Sequence, residues 1–450
     1  MQSFMVWNIG ERVFAVNFCN ACKSCSLDLS RVLATCLGDV GIMGRQIVLL
    51  GGNALNAGFE RLREKLDIEK IIVIDWNERP AYLGDQHFQL DIKDTAAIAK
   101  LPLDWAQIAF VYTSADVGVR TQVRLHRKLG LVAPTDESVE NAIFKNRMRD
   151  CWERCHILNK YSEVISDAEE FKDLGCKKYI FKPNASSGSR NITILARDEL
   201  APDTVQYAVE FAKRASSDHR CIVEEFIEGH EYTVDMLGDA YGNVGVYGIS
   251  KKYHTRYNPQ NKIATKLHYA PGDVSREELE RIGEFGQQCY RALGLTASFG
   301  HLEVIVSDSG KIVPVEIGAR SSGYIATMLI DIITSKSYLG DYLHVLQGGR
   351  VTPGLNFAGD MSAMYYFYDI HPGVCREVRP LLDFLPNKVQ SYAFDRSKIE
   401  VGRKYGVIQA DHERYGFEIL GGPKNYLNIE NVTKAEKQWN RACIEGCVCE

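Results

Sequence analysis

The chain has 450 residues, 45% hydrophobic and 25% charged, with a formal net charge of −5 and a pI near 6.2. Roughly three domains of ~150 residues fit that length. The acidic balance argues against a nucleic-acid partner, and no apolar run approaches the ~20 residues that cross a bilayer.

The opening, MQSFMVWNIGERVFAVNF, carries Glu11 and Arg12 between its apolar pieces and lacks a basic start, so no signal peptide is read and a cytoplasmic location is expected. Residues 1–44 are read as an extension, with Met43 an alternative start. It holds CNACKSC (Cys19, Cys22, Cys25), and the tail holds CIEGCVCE (Cys443, Cys447, Cys449). Two-residue spacings suit a zinc or iron–sulfur site joining the chain ends. The plainer reading, which we favour, is reduced thiols in a reducing compartment.

From residue 45 the pattern turns regular. RQIVLL, KIIVID and AQIAFVYT read as buried strands separated by helical segments, which implies a doubly wound parallel sheet over about 45–139. Gly51, Gly52 and Gly58, with Asp75 at the next strand end, imitate a dinucleotide fingerprint. GGNALNAG lacks the G-x-G-x-x-G spacing, so a nicotinamide cofactor stays only as the rival. Residues 140–225 follow with a helix over ENAIFKNRMRDCWERCHI, strands near YSEVI and KKYIFKP, and a helix ending near Ser216. Residues 226–345 are richer in alternating strands, and 346–450 read as a β-rich C-terminal region.

The most informative stretch is HLEVIVSDSGKIVPVEIGARSSG, residues 301–323. It reads as a hairpin with Gly310 supplying positive φ. A symmetric turn centred on Ser309-Gly310 sets Glu303 directly opposite Glu316, with Cβ atoms roughly 5 Å apart. Facing like charges destabilise a hairpin unless a cation lies between them, and all-oxygen ligation favours Mg2+ or Mn2+. The alternative is a bulge that turns both glutamates to water. Arg320, in EIGARSSG, is placed to neutralise an anion the metal also touches.

A metal–phosphate site accounts for FKPNASSGSRNI, residues 181–192. Lys182 ends a strand, and a loop of small residues (Ser186, Ser187, Gly188, Ser189, Arg190) lets backbone N–H groups close over phosphates. In CIVEEFIEGHEY, Glu225-Phe226-Ile227 can offer backbone to an adenine edge, and Glu224 or Glu231 can take ribose or amine hydrogens. The order Lys145, Lys182 and its loop, EEFIEGHEY, Glu303, Glu316 and Arg320 resembles the ATP-grasp superfamily over about residues 45–345. Within it the chain is most similar to carboxylate–amine and L-amino-acid ligases, and to biotin-carboxylase-like enzymes.

That resemblance implies a Rossmann-like domain over 45–139, a two-lobed ATP-grasp domain over 140–345 (lid 140–225, metal and substrate lobe 226–345) and the C-terminal region. It implies that Lys145 and Lys182 hold ATP phosphates and that Ser186–Asn191 is the flap. Glu224, Phe226 and Ile227 match the adenine hinge and Glu231 the ribose contact. Glu303 and Glu316 match the ligands of two Mg2+ ions, and Arg320 the arginine that steadies an acyl phosphate. Two departures stand out: Gly318 where many members have a metal-binding Asn, and Phe144 where an acid precedes the first lysine.

The implied activity is ATP-dependent joining of a carboxylate to an amine, with carboxylase- or kinase-type use of the same site as the alternative. Lys252 and His268, in the polar loop 250–273, are expected to line the substrate pocket, with His301 a core residue. A homodimer is possible by the same resemblance.

Overall fold

The computed structural model describes residues 4–9, 12–17, 44–158, 160–186, 190–258, 263–357, 359–409 and 413–447. The mixed α/β class and the leading parallel sheet are both present. In the extension, β1 (Phe4–Ile9) and β2 (Arg12–Asn17) form an antiparallel hairpin.

Four parallel strands follow: β3 (Gln46–Leu50), β4 (Lys70–Asp75), β5 (Gln86–Gln89) and β6 (Ile108–Tyr112), in the order β5-β4-β3-β6. Ile47, Val48, Leu49, Ile71, Ile72 and Val73 are fully buried, as strands covered on both faces must be. The segment after β3 is helical as expected, but its first part, Ala54–Arg61, is a 3-10 helix. The dinucleotide imitation has an internal explanation. Asp75 Oδ2 accepts from Gly52 N at 2.7 Å, and Oδ1 accepts from Asn77 N at 2.7 Å and Asn77 Nδ2 at 2.8 Å. The carboxylate that would hold a ribose is spent on shaping its own turn.

The helix expected over ENAIFKNRMRDCWERCHI is two helices, Asp136–Ile143 and Lys145–Arg154. Phe144, at φ −93° and ψ 117°, is extended and breaks them. The break lets Lys145 start a helix, with its backbone N–H on the Asn184 carbonyl at 3.0 Å. A second four-stranded sheet, over the segment expected to form a lid, holds β7 (Ser162–Ile165), β8 (Lys178–Pro183), β9 (Thr193–Ala196) and β10 (Cys221–Glu225), ordered β7-β10-β8-β9. The helix Pro202–Ala215 covers it with Val205, Ala208, Val209 and Ala212.

The largest sheet contains β11 (His230–Gly238), β12 (Val244–His254), β13 (Ala264–Tyr269), β14 (Ser298–Val306), β15 (Ile312–Gly318), β16 (Gly354–Leu355), β17 (Met361–Phe367), β18 (Gln390–Asp395) and β19 (Phe417–Pro423). Its order is β15-β14-β11-β12-β13-β17-β19-β18, with β16 added on β12. The C-terminal strands therefore continue the sheet that carries the hairpin, through antiparallel pairing of β13 with β17. Among the described residues no helix is long and apolar enough to cross a membrane.

Candidate active site

Glu303 and Glu316 are register partners, as the turn predicts, but the route differs. Near the turn, Val306 pairs with Ile312, Ile305 with Val313 and Val304 with Pro314, one step short of the symmetric register. A bulge between Glu303 and Val304 leaves Val315 as the extra residue, and beyond it the pairing is Glu303 with Glu316. Gly310, at φ 78°, makes the turn. The bulge restores the alignment instead of spoiling it. Pro314, which has no N–H, is tolerated because β15 is the sheet's edge.

The helix Lys145–Arg154 aims two cations at this hairpin. Lys145 Nζ lies 3.0 Å from Glu316 Oε2 and donates to the Ser186 carbonyl at 3.1 Å. Arg149, one helical turn on, donates through Nη2 to the Val315 carbonyl and through Nε to Glu224 Oε1. Burial alone would raise the Glu316 carboxyl. The Lys145 and Lys182 charges, the Lys145 hydrogen bond and Arg320 outweigh it and hold the group at about 2.

Glu224 is fully buried among cations: Arg149, Lys160 Nζ at 2.9 Å and Lys182 Nζ at 2.5 Å. One carboxylate against three cations leaves a buried surplus of positive charge, which suits a polyphosphate. Burial drives the Lys182 ammonium down to about 7 against the pull of Glu224, with Lys160, Arg149 and Lys145 repelling it. The proline-bounded turn after Lys182 is anchored by Asn184, whose side chain holds Asn146 N at 2.9 Å and Asp218 Oδ2 at 2.6 Å. Arg190 is exposed, while Ser187, Gly188 and Ser189 lie outside the described residues. Phe226 donates its N–H to the Lys178 carbonyl at 3.0 Å, so that amide is committed to the lid sheet.

On the big sheet, Lys252 Nζ bridges Glu231 and Glu303, the latter at 2.7 Å. Burial opposes ionisation of Glu231, but Lys252 and His254 outweigh it and hold the carboxyl at about 2. Lys252 thus stands between the residues matched to ribose and to metal. His268 is a different case. Its register partner is Lys251, not Lys252, so its side chain points to the opposite sheet face. There it is fully buried, with Nε2 2.6 Å from Ser362 Oγ, and burial lowers it to about 4. A shared pocket with Lys252 is therefore corrected: parity along β13 separates them. His301 sits on the glutamate face, with Nδ1 2.9 Å from the buried Asp235, which also accepts from Tyr269 OH at 3.0 Å.

Arg320 is held from the parallel-sheet domain. Its Nε and Nη2 reach Asp116 Oδ1 and Oδ2 at 2.7 and 2.9 Å. Arg149, Lys160, Asp116 and Asp235 are site residues that sequence reasoning passed over. Arg149 had a usable signal in its i, i+4 spacing from Lys145, and Asp116 in its position just beyond the carboxyl end of a parallel strand.

Cys19, Cys22, Cys25 and Cys449 lie outside the described residues, and Cys443 is a buried free thiol. No group of three or more His, Cys, Asp or Glu among the described residues is arranged to hold a metal. The hairpin pair fits a cation that takes its remaining ligands from a bound phosphate.

The family model described as "ATP-grasp domain" matches residues 177–328. That match, about a third of the chain, is where the likeness to an ATP-grasp domain lies. The fold is shared with an L-amino acid ligase from Bacillus licheniformis, at TM-score 0.66 and 16% identity, over 89% of this chain and 98% of that one. It is shared too with the Hydrogenobacter thermophilus 2-oxoglutarate carboxylase biotin carboxylase domain, at TM-score 0.63 and 16% identity, over 85% and 86%. Among curated proteins, the uncharacterized protein y4rH of Sinorhizobium fredii (strain NBRC 101917 / NGR234) is 25% identical over 54% of this chain and 49% of its own. Alanine–anticapsin ligase of Bacillus subtilis (strain 168) is 21% identical over 48% of each. The chain spans about half the length of the curated relatives it matches.

Proposed function

We propose that this protein is an ATP-dependent ligase that activates a carboxylate as an acyl phosphate and joins it to an amine. The observation that carries the reading is the Glu303–Glu316 register pair ringed by Lys145, Lys182, Lys252 and Arg320. Likeness to an L-amino acid ligase and to alanine–anticapsin ligase supports it and favours amino-acid-like substrates.

Lys145 and Lys182 bind and orient the ATP phosphates, and Ser186–Asn191 take the role of the flap. Glu224, Phe226 and Ile227 border the adenine, and Glu231 the ribose. Glu303 and Glu316 hold Mg2+, whose number we leave open. When bound, it supplies neutralising charge at the transferring phosphoryl group. Each glutamate gives one oxygen to a lysine, Glu316 Oε2 to Lys145 and Glu303 Oε1 to Lys252, and the two carboxylates together would hold the cation. Arg320 steadies the anionic acyl phosphate until the amine displaces phosphate. Positioned cations of this kind carry most of such chemistry, because the transition states are anionic.

An ADP-release screen with Mg·ATP against paired amino acids and small carboxylates tests the reading. Release that requires both a carboxylate and an amine is expected, and Glu316→Ala abolishes it while remaining folded. Release stimulated by bicarbonate alone, or unchanged turnover in Glu316→Ala, overturns the proposal.

A further inference from the structure

We propose that Asp116 is a positioning residue that sets the catalytic orientation of Arg320, so that the parallel-sheet domain forms part of the active site. The inference rests on the reading of Arg320 as the arginine facing the acyl phosphate.

Three observations converge on it. Asp116 begins the short turn Asp116–Gly118 beyond β6, some two hundred residues from Arg320 in sequence, yet meets its guanidinium fork to fork at 2.7 and 2.9 Å. Two parallel N–H···O bonds fix the guanidinium plane as well as its place. The same domain grips the next residue, since Tyr112 OH and Ser321 Oγ are 2.6 Å apart and buried. The third observation is Gly318. A Cβ there would stand 3.2 Å from Asp116 Oδ1, 3.4 Å from Arg320 Cγ and 3.5 Å from Arg320 Cζ. A side chain at 318 would press on the carboxylate that holds the arginine. The bare position thus belongs to the clamp.

An unclamped arginine has many rotamers, and an orienting partner removes that freedom before the anion forms. A simple interdomain staple would not separate turnover from nucleotide binding, whereas a positioning residue does. Asp116→Asn keeps the shape and loses the charge. It is expected to lower the maximal rate of substrate-dependent ADP release about 100-fold, in the range of a lost electrostatic contact in a transition state. The KM for Mg·ATP is expected to stay within about twofold of the parent's, because uniform binding is untouched.

Asp116→Glu restores part of the rate. Gly318→Ala lowers it in the same direction, and combining it with Asp116→Ala adds little, because the crowded group is gone. Turnover of Asp116→Asn within about threefold of the parent, or a KM for Mg·ATP that rises as turnover falls, overturns the inference. Should the parent protein release ADP with no substrate pair, the ligase reading fails on its own. The clamp is then read from the Arg320 Nε–H resonance in the metal-free protein. Slow solvent exchange that is lost in Asp116→Asn supports it, and exchange unchanged by that substitution refutes it.

Discussion

Arg149 donates to the carbonyl of Val315, the extra residue of the bulge that brings Glu316 opposite Glu303. A bulge leaves its residue outside the ladder, and here a guanidinium from another element takes up the carbonyl. The same side chain binds the buried Glu224, so one residue ties the β7–β10 sheet to the glutamate hairpin.

Arg149→Met should therefore loosen the hairpin as well as the lid. Loss of a charged hydrogen bond to a buried carboxylate costs about 1.5–3 kcal/mol, and Lys160 and Lys182 still face Glu224. A lower melting temperature is expected, with faster amide exchange over residues 303–318. Arg149→Lys should behave similarly, since a single ammonium lacks the fork that reaches both acceptors. Unchanged exchange across the bulge would show that Arg149 does not support it.

On the proposed phosphate role of Lys182, nucleotide binding is tied to pH. Its buried ammonium titrates at about 7. Below that value the lysine is charged in the free protein; above it the lysine is neutral there and must gain a proton to meet a phosphate. Affinity for Mg·ADP should fall as pH rises above 7. Calorimetry in buffers of differing ionisation enthalpy should show up to about one proton taken up per site. Lys182→Met should abolish that uptake. For stability without nucleotide the sign is set by the depressed folded value: the unfolded chain holds more protons between about 7 and 10.5, so stability rises with pH across that window.

A second buried ion pair lies away from the site. Glu436 is fully buried, 2.9 Å from Lys266 Nζ, with Arg256 Nη2 on its other oxygen at 2.7 Å. Glu436→Gln leaves Lys266 buried without its partner and should cost about 3–5 kcal/mol, read by chemical denaturation. Replacing both Lys266 and Glu436 with Met should recover most of that loss, because two desolvated charges disappear together. A double variant as unstable as the single one would contradict this account.

Legibility in the sequence followed the local patterns. The parallel strands were readable because buried apolar runs ended in turn residues, and the two-glutamate pairing because a hairpin turn relates its arms by symmetry. That pairing came out right through two offsets: the turn sits one step off centre, and the bulge at Val315 restores the difference. Pro314 was the available hint, since proline within a strand points to an edge or a bulge. The break at Phe144 carried no Gly or Pro to announce it, and His268 was misassigned because a period-two strand hides half its side chains on the far face. Asp116 could be singled out by its place beyond a strand end, but its pairing with Arg320 could not: that partner is set by how two domains dock, which no local pattern records.

The continuous sheet makes the last quarter of the chain a wall of the same body that carries the glutamate hairpin. Cutting the chain after Gly349 would peel β17 from β13 and bare Ala264–Tyr269 as a raw edge hungry for another strand. A shortened gene product would then clump in the cell with Lys145, Lys182, Glu303 and Glu316 all still encoded.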